Sequence, residues 1–335
     1  MSNQPGFHLR HLCLCFMLMV MIFTAMNTGG LPVSVSAYLR GEITQQLWQI
    51  WLTVRLPRIV LAVLAGMALA TAGVLLQGLF RNPLADPGLL GISSGAAVAV
   101  ALGIVFIAPY LNGPVALYLH IFTAFSGALC VSGLIFLLNR RRQPLLRLLL
   151  CGIVVNAISM SFVGVLNYLS DDKELRQFSL WMMGNTGHIS WVLLLPAIGL
   201  ALPVFCAAFL LSRPLDMIQL GEEEAHYAGV NVRRIQQYVL LVSALLTGIA
   251  VALCGIIGFI GLVIPHLMRM IFGWHHRLLL VTSALGGALL LLLSDTLART
   301  LAVPAENSGR ASDRITRCTL FSLAGFLCEG MICHL

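Results

Sequence analysis

The sequence predicts an all-α polytopic membrane protein with about ten transmembrane helices, and three observations support this. Of its 335 residues, 59% are hydrophobic and 10% are charged, whereas a soluble domain carries roughly a quarter charged residues. The apolar residues recur in blocks long enough to cross about 30 Å of hydrocarbon. The blocks follow one another without a polar half or a long linker, so we expect one transmembrane domain over residues 1–335.

Nine apolar blocks predict the membrane helices in chain order. They cover residues 12–28, 57–80, 90–109, 114–138, 145–169, 190–211, 235–254, 256–273 and 278–298. The first block follows basic residues, as in a signal peptide, but no clear small-residue cleavage site comes after it. We therefore predict that it is retained as the first span.

Arginines at the ends of the blocks predict the orientation of the chain. More of them fall at ends that alternate to one side, including Arg81, Arg147, Arg213 and Arg269, and that side is predicted to be the cytoplasm. The net charge of +7 is spread over these helix ends, so it indicates topology and no nucleic-acid partner. The nine cysteines form no Cys-x-x-Cys pair and no Cys/His cluster at zinc spacing, so we expect neither a structural disulfide nor a metal site.

Two connecting segments are too polar to cross a membrane. Residues 170–190 have an amphipathic pattern and are predicted to lie along the outer surface. Residues 213–234 form the longest cytoplasmic connection and are predicted to fold as short helices around an acidic triplet. This connection is either a solvated loop or a docking platform for a soluble partner.

One short motif suggests an enzyme instead. Gly91 to Gly95 match the G-x-S-x-G pattern of serine hydrolases, in which a strand precedes the nucleophile and a helix follows it. Small residues that permit tight helix packing also explain the pattern. An intramembrane hydrolase that uses Ser93 is therefore an alternative, and the sequence contains neither H-E-x-x-H nor a phosphate-binding loop.

Six motifs between about residues 55 and 305 resemble, as an ordered set, one family of membrane proteins. They are RLPR, GxxLQxLFRNPLADPGLLG, LWMMG, SRPLDMIQLGEEEAHYAGV, GxIGFIGLVIPHLMR and DTLAR. The set is similar to the permease subunits of ABC importers for iron chelates, haem and cobalamin, and is nearest to the bacterial haem permeases.

The resemblance implies a transport subunit and no enzyme, in the bacterial inner membrane, that moves haem from periplasm to cytoplasm by alternating access. Ferric siderophore or cobalamin is the alternative cargo, and a passive channel is a further possibility. The implied partners are a second copy of the chain, two cytoplasmic ATPase subunits that use ATP and Mg, a periplasmic substrate-binding protein and membrane lipid. No cofactor is expected on this chain.

The resemblance also assigns roles to individual residues. Arg55, Arg58 and Arg299 match arginines that receive acidic residues of the binding protein, and all three stand at predicted outer helix ends, where basic residues are disfavoured. The residues that match the ATPase-coupling helices are Leu220, Gly221, Glu222, Ala225 and Gly229. The residues that match a cytoplasmic gate are Asn82, Leu84, Leu145 and Leu146. The last two stand where cobalamin permeases carry a small hydroxyl pair, so the gate is predicted to be more apolar here.

The tail over residues 307–335 departs from the family pattern. Four charged residues, Arg310, Asp313, Arg314 and Arg317, fall where the tenth helix is expected, and charges within a span cost several kcal/mol. The abrupt loss of pattern motivates the hypothesis of a shifted reading frame or an altered sequence. Resequencing the gene and measuring the intact mass test this hypothesis, and a confirmed tail of this composition contradicts it.

Overall fold

The computed structural model describes residues 5–28, 45–110, 114–140, 145–184, 186–187 and 189–301, and every regular element within these ranges is helical. The α-helices are α1 Pro5–Asn27, α2 Gln45–Ile50, α3 Leu56–Phe80, α4 Ile92–Leu102, α5 Pro114–Arg140, α6 Leu145–Leu169, α7 Asp172–Met182, α8 Trp191–Leu210, α9 Ser212–Leu220, α10 Glu222–Tyr227, α11 Val232–Cys254, α12 Ile260–Phe272 and α13 His276–Leu301. The tail over 307–335, and with it the question of a tenth span, lies outside the described residues.

Eight of the described helical segments are long and apolar enough to cross a membrane, which agrees with the predicted fold class. The block predicted over 256–273 is shorter than expected, because α12 begins only at Ile260 and has 13 residues. At 1.5 Å per residue it is about 20 Å long, which is less than the hydrocarbon thickness. Gly255 and Phe259 adopt positive φ angles of 76° and 67°, so the chain is not helical over 255–259.

Helix α3 lies at the centre of the bundle, and α11, α12 and α13 pack against it. Its span is 83% buried, whereas the span in α6 is 17% buried. Glycines permit this packing: a Cβ at Gly66 would lie 2.3 Å from the carbonyl oxygen of Gly287 in α13. A Cβ at Gly73 would meet the backbone of Gly261 in α12 at 1.9 Å. The central helix is therefore surrounded by protein, as its small residues predict.

The remaining long helices form the periphery of the bundle. Helix α4 packs on α5 and α6, α8 packs on α11, and α1 packs on α13. The amphipathic helix predicted within 170–190 is α7, which buries Phe178 and exposes its charged first turn. Its backbone N–H at Asp171 donates to the Glu174 carboxylate at 3.2 Å, which caps the helix start.

Helices α3 and α13 run side by side through the bundle in opposite directions. One shared end carries Arg58 of α3 and Arg299 of α13, and we call it the outer end. The other carries Gly78 of α3 and His276 of α13, and we call it the inner end. These names follow the orientation predicted from the arginines, and each end holds one of the predicted functional sites.

Candidate functional site

A buried carboxylate organises the outer end of the bundle. Asp295 of α13 is 3% exposed and accepts two hydrogen bonds from Nε of Arg58, at 3.1 and 3.0 Å, and one from Nη2 at 2.7 Å. The Nε atom of Arg299, one turn further along α13, lies 3.2 Å from Oδ2 of Asp295. The hydroxyl of Thr186 donates to Oδ1. We call these four residues the outer clasp, and two guanidinium groups against one carboxylate leave it with one net positive charge.

Arg55, the third predicted docking residue, contacts helix α1. Arg55 ends the π-helical turn Trp51–Arg55 that leads into α3, and it is 8% exposed. Its Nη1 atom donates to the carbonyl oxygen of Met26 in α1 at 3.2 Å, and the indole of Trp51 donates to the same oxygen at 3.4 Å. The three arginines thus lie at one end of the bundle, and Arg58 and Arg299 share Asp295 as a partner. The docking role of all three stays a prediction.

The participation of Asp295 was missed by sequence reasoning. A signal was present, because Asp295 and Arg299 are four residues apart in DTLAR, a spacing that places opposite charges on one helix face. The contact with Arg58 could not be inferred in this way, because 237 residues separate the partners.

A second cluster joins the inner ends of α3 and α13 to α9. His276 is fully buried, and its Nδ1 atom lies 2.7 Å from Oδ1 of Asp216 in α9. Its backbone N–H also donates to this oxygen at 3.0 Å, so Asp216 places a carboxylate at the positive N-terminus of α13. The Nε2 atom of His276 lies 3.5 Å from Nε2 of Gln219, and a Cβ at Gly78 would fall 2.4 Å from it. We call these four residues the inner clasp.

Residues 81–86, between α3 and the 3-10 helix Pro87–Leu90, contain the first half of the predicted gate. Arg81 adopts a left-handed conformation that ends α3, and its Nη2 atom donates to the carbonyl oxygen of Ile218 in α9. The Asn82 side chain accepts a hydrogen bond from the Leu84 N–H at 2.9 Å, and the Leu84 side chain is 68% exposed. Burial raises the pKa of Asp86, which the hydrogen bond from the Gly88 N–H partly offsets. The loop therefore exposes Leu84, and the Arg81 side chain ties the start of the loop to the backbone of α9.

The second half of the predicted gate belongs to the start of α6. Helix α6 begins at Leu145, but the side chains of Leu145 and Leu146 lie outside the described residues. The gate residues therefore stay a prediction.

The predicted coupling segment folds into two short helices, α9 and α10, that meet at Gly221. Gly221 has φ 153° and ψ 150°, a conformation that side chains disfavour, and this allows the sharp turn. Ala225 is fully buried, and Glu222 is exposed in the first turn of α10. Leu220 is 73% exposed, and Gly229 follows α10 with a positive φ of 83°. The segment therefore has one face packed on the bundle, and it exposes Met217, Leu220 and Tyr227 on its outer side.

The structural context of Ser93 differs from that of a hydrolase nucleophile. The residues before it form a 3-10 helix, Pro87–Leu90, where the hydrolase motif requires a strand. The neighbouring Ser94 donates to the Gly91 carbonyl at 3.0 Å. Within the described residues, Ser93 has no hydrogen bond to a histidine that could act as its base.

Comparison with known proteins places this architecture among transport proteins. Residues 14–310 match the FecCD transport family. The hemin transport system permease protein HmuU of Yersinia pestis is 53% identical over 300 residues, which cover 88% of this chain and 89% of the relative. The vitamin B12 import system permease protein BtuC of Vibrio cholerae is 42% identical over 261 residues, with coverage of 77% and 76%.

A solved structure is also similar over nearly the whole length of both chains. It is described as an inward-facing conformation of an ABC transporter of the metal-chelate type, and it aligns with a TM-score of 0.82 at 30% identity. The alignment covers 96% of this chain and 98% of the other.

Proposed function

The chain belongs to the FecCD transport family, and from this premise we propose that it is the membrane permease of an ATP-driven importer whose cargo is haem. The family accounts for its place in the bacterial inner membrane and for a role as a transport subunit without a catalytic site. The structural observation that carries the proposal is the pair α3 and α13, whose outer ends meet in the outer clasp and whose inner ends are fixed to α9.

The α9–α10 segment is the proposed contact for a separate cytoplasmic ATPase. Leu215 and Ile218 are buried against the bundle, whereas Leu220 and Tyr227 are 73% and 86% exposed. Exposed apolar side chains beside the acidic first turn of α10 suit a protein partner better than a solvated loop. ATP and Mg are proposed to act in that partner, and no cofactor is assigned to this chain.

The outer end is the proposed contact for a substrate-binding protein. The outer clasp retains one positive charge, and Arg55 adds another nearby, so the surface suits a partner that presents carboxylates. Arg58 and Arg299 are only 11% and 10% exposed. We therefore expect the positive charge of the two arginines to attract the partner's carboxylates at the surface, while both arginines keep their contacts with Asp295.

A second copy of the chain is proposed to pack near α6. Helices α6 and α8 are both mostly exposed, at 17% and 22% buried, but their compositions differ. Helix α8 contains no hydroxyl, amide or charged side chain, as expected for a helix against lipid. Helix α6 carries Asn156, Ser159, Ser161 and Asn167, and polar groups in a lipid-facing span are costly. This face is therefore assigned to protein or to the transport passage.

Transport is proposed to proceed by alternating access. Two states of the bundle open the passage to opposite sides, and differential contacts of the partners with those states shift their populations. Asn82 and Leu84, together with Leu145 and Leu146, form the proposed inner gate. An apolar gate suits a flat apolar ligand such as haem, and the similarity to the hemin transport permease HmuU supports this choice of cargo.

Competition for uptake distinguishes haem from the alternative cargoes. Proteoliposomes that contain the permease and its cognate ATPase are supplied with the binding protein and labelled haem, and unlabelled competitors are added. We expect haem to compete at concentrations at which a ferric siderophore and cobalamin do not. If either of them competed more strongly than haem, that compound would be the cargo and the haem proposal would be wrong.

A further inference from the structure

An arginine at the inner end of α12 is buried, and no residue in the described part of the chain supplies a counter-charge to it. Arg269 is 6% exposed, and its Nε and Nη2 atoms are buried without hydrogen-bond partners in the described part of the chain. None of the ion pairs within the described residues includes it. A buried guanidinium is costly unless an anion neutralises it, so the site lacks a component.

Two neighbours define the chemistry of the missing component. The guanidinium carbon of Arg269 lies 5.1 Å from the centre of the Trp274 ring, in a cation–π arrangement. Arg10 of α1 donates from Nη1 to the carbonyl oxygen of Ile271 at 2.9 Å, so a second guanidinium lies at the same helix end. The C-terminus of α12 supplies about half a negative charge. Two positive charges are therefore only partly offset.

The surroundings of the two arginines are apolar and open to the bilayer. Met270 and Ile271 are 55% and 45% exposed on α12, and Leu9 and Leu12 of α1 are 68% and 67% exposed. Trp274 is itself 68% exposed, as is typical of a tryptophan at the level of the lipid headgroups. The two arginines thus lie beside an apolar surface that lipid acyl chains can cover.

We propose that Arg10 and Arg269 bind the phosphate of an acidic phospholipid of the inner leaflet. The phosphate neutralises the guanidinium pair at the end of α12, the Trp274 ring flanks the headgroup, and the acyl chains lie along the exposed residues of α1 and α12. Basic sites between membrane helices on the cytoplasmic side commonly select acidic headgroups. None of the proposed lipid-binding residues belongs to the outer clasp, the inner clasp or the α9–α10 segment, so the inference does not depend on the proposed transport function.

Native mass spectrometry of the purified full-length protein measures lipid binding directly. Phosphatidylglycerol and phosphatidylcholine are titrated separately, and inorganic phosphate is added as a competitor. We expect phosphatidylglycerol to bind more tightly, and each of Arg269→Gln and Arg10→Gln to weaken it by roughly fivefold, as expected for one basic contact. Phosphatidylcholine binding should not change in either variant.

A matched control is available at the same end of the bundle. Arg277 is also basic and stacked on an aromatic ring, with its guanidinium carbon 5.1 Å from the centre of Phe209, so Arg277→Gln should leave phosphatidylglycerol binding unchanged. Thermal unfolding in lipid-free detergent identifies a variant that is merely misfolded, and the exposed Arg10 serves as the test if Arg269→Gln is unstable. Equal binding of the two lipids, or equal losses in the Arg10 and Arg277 variants, would overturn the proposal. If millimolar inorganic phosphate displaced phosphatidylglycerol, the site would be one for a free anion, and the lipid proposal would be wrong.

Discussion

The two clasps hold the same pair of helices in different ways. In the outer clasp, Asp295 is 3% exposed and receives both arginines from α3 and α13 themselves. In the inner clasp, Asp216 is 29% exposed and belongs to α9, a short helix outside the pair. The outer contact is therefore internal to the helix pair, whereas the inner contact joins the pair to a third helix, α9, which belongs to the proposed ATPase contact. This difference predicts that the outer clasp maintains stability and that the inner clasp transmits motion.

The largest expected effect comes from removing the charge of the outer clasp. Asp295→Asn removes the carboxylate that two nearly buried guanidinium groups share, which should lower the free energy of unfolding by about 3–5 kcal/mol. Thermal unfolding in detergent measures the change. Adding Arg58→Met should recover part of the loss, because one of the two positive charges is then removed. An unchanged unfolding midpoint for Asp295→Asn would contradict the stabilising role of this clasp.

The second largest effect is expected from disrupting the close backbone contact between α3 and α13. In Gly66→Ala the new methyl group would lie 2.3 Å from the Gly287 carbonyl oxygen, so the helices must separate at a cost of about 1–3 kcal/mol. Gly133→Ala in α5 is the matched control, because no other element of the described structure comes within 4 Å of its Cβ position. Unfolding midpoints of both variants are compared with that of the wild type. Equal midpoints for the two variants would show that the close backbone approach is not required.

The inner clasp should affect coupling more than stability. Asp216→Ala removes both hydrogen bonds to His276, at 2.7 and 3.0 Å, with a cost of about 1.5–3 kcal/mol. With α9 released from α13, ATP hydrolysis by the reconstituted transporter should respond less to the binding protein loaded with cargo. Stimulated and basal hydrolysis rates are measured with Asp216→Asn as a control, since its amide oxygen can still accept the backbone hydrogen bond. Full stimulation in Asp216→Ala would contradict the transmitting role.

The sequence predicted the long helices well because each one produces a continuous apolar block. The block at 145–169 coincides with α6, and the short helices of the coupling segment were predicted from their pattern and from glycine. The late start of α12 was not predicted, because residues 255–259 are as apolar as a helix. The Asp295–Arg58 and Asp216–His276 contacts were not predicted either, since each depends on how distant segments meet in the bundle. Hydrophobic periodicity contains no information about contacts between segments that are distant in the sequence.

The smallest effect on stability is expected on the exposed side of the coupling segment. Leu220 is 73% exposed, so Leu220→Glu should leave the unfolding midpoint unchanged and weaken ATPase association by about tenfold or more. Leu215 is fully buried on the adjoining helix face, and Leu215→Ala should instead lower stability by about 2–5 kcal/mol. Co-purification and unfolding are measured for both. Normal ATPase association in Leu220→Glu would remove this residue from the proposed interface.

ATP-driven uptake of haem into proteoliposomes that contain the permease and its ATPase, with the binding protein outside, tests the central claim most directly. We predict accumulation that requires ATP hydrolysis, is retained in Ser93→Ala and is lost in Leu220→Glu. Haem entry without ATP would indicate a passive channel, and loss of activity in a folded Ser93→Ala variant would favour the hydrolase alternative; either result contradicts the account.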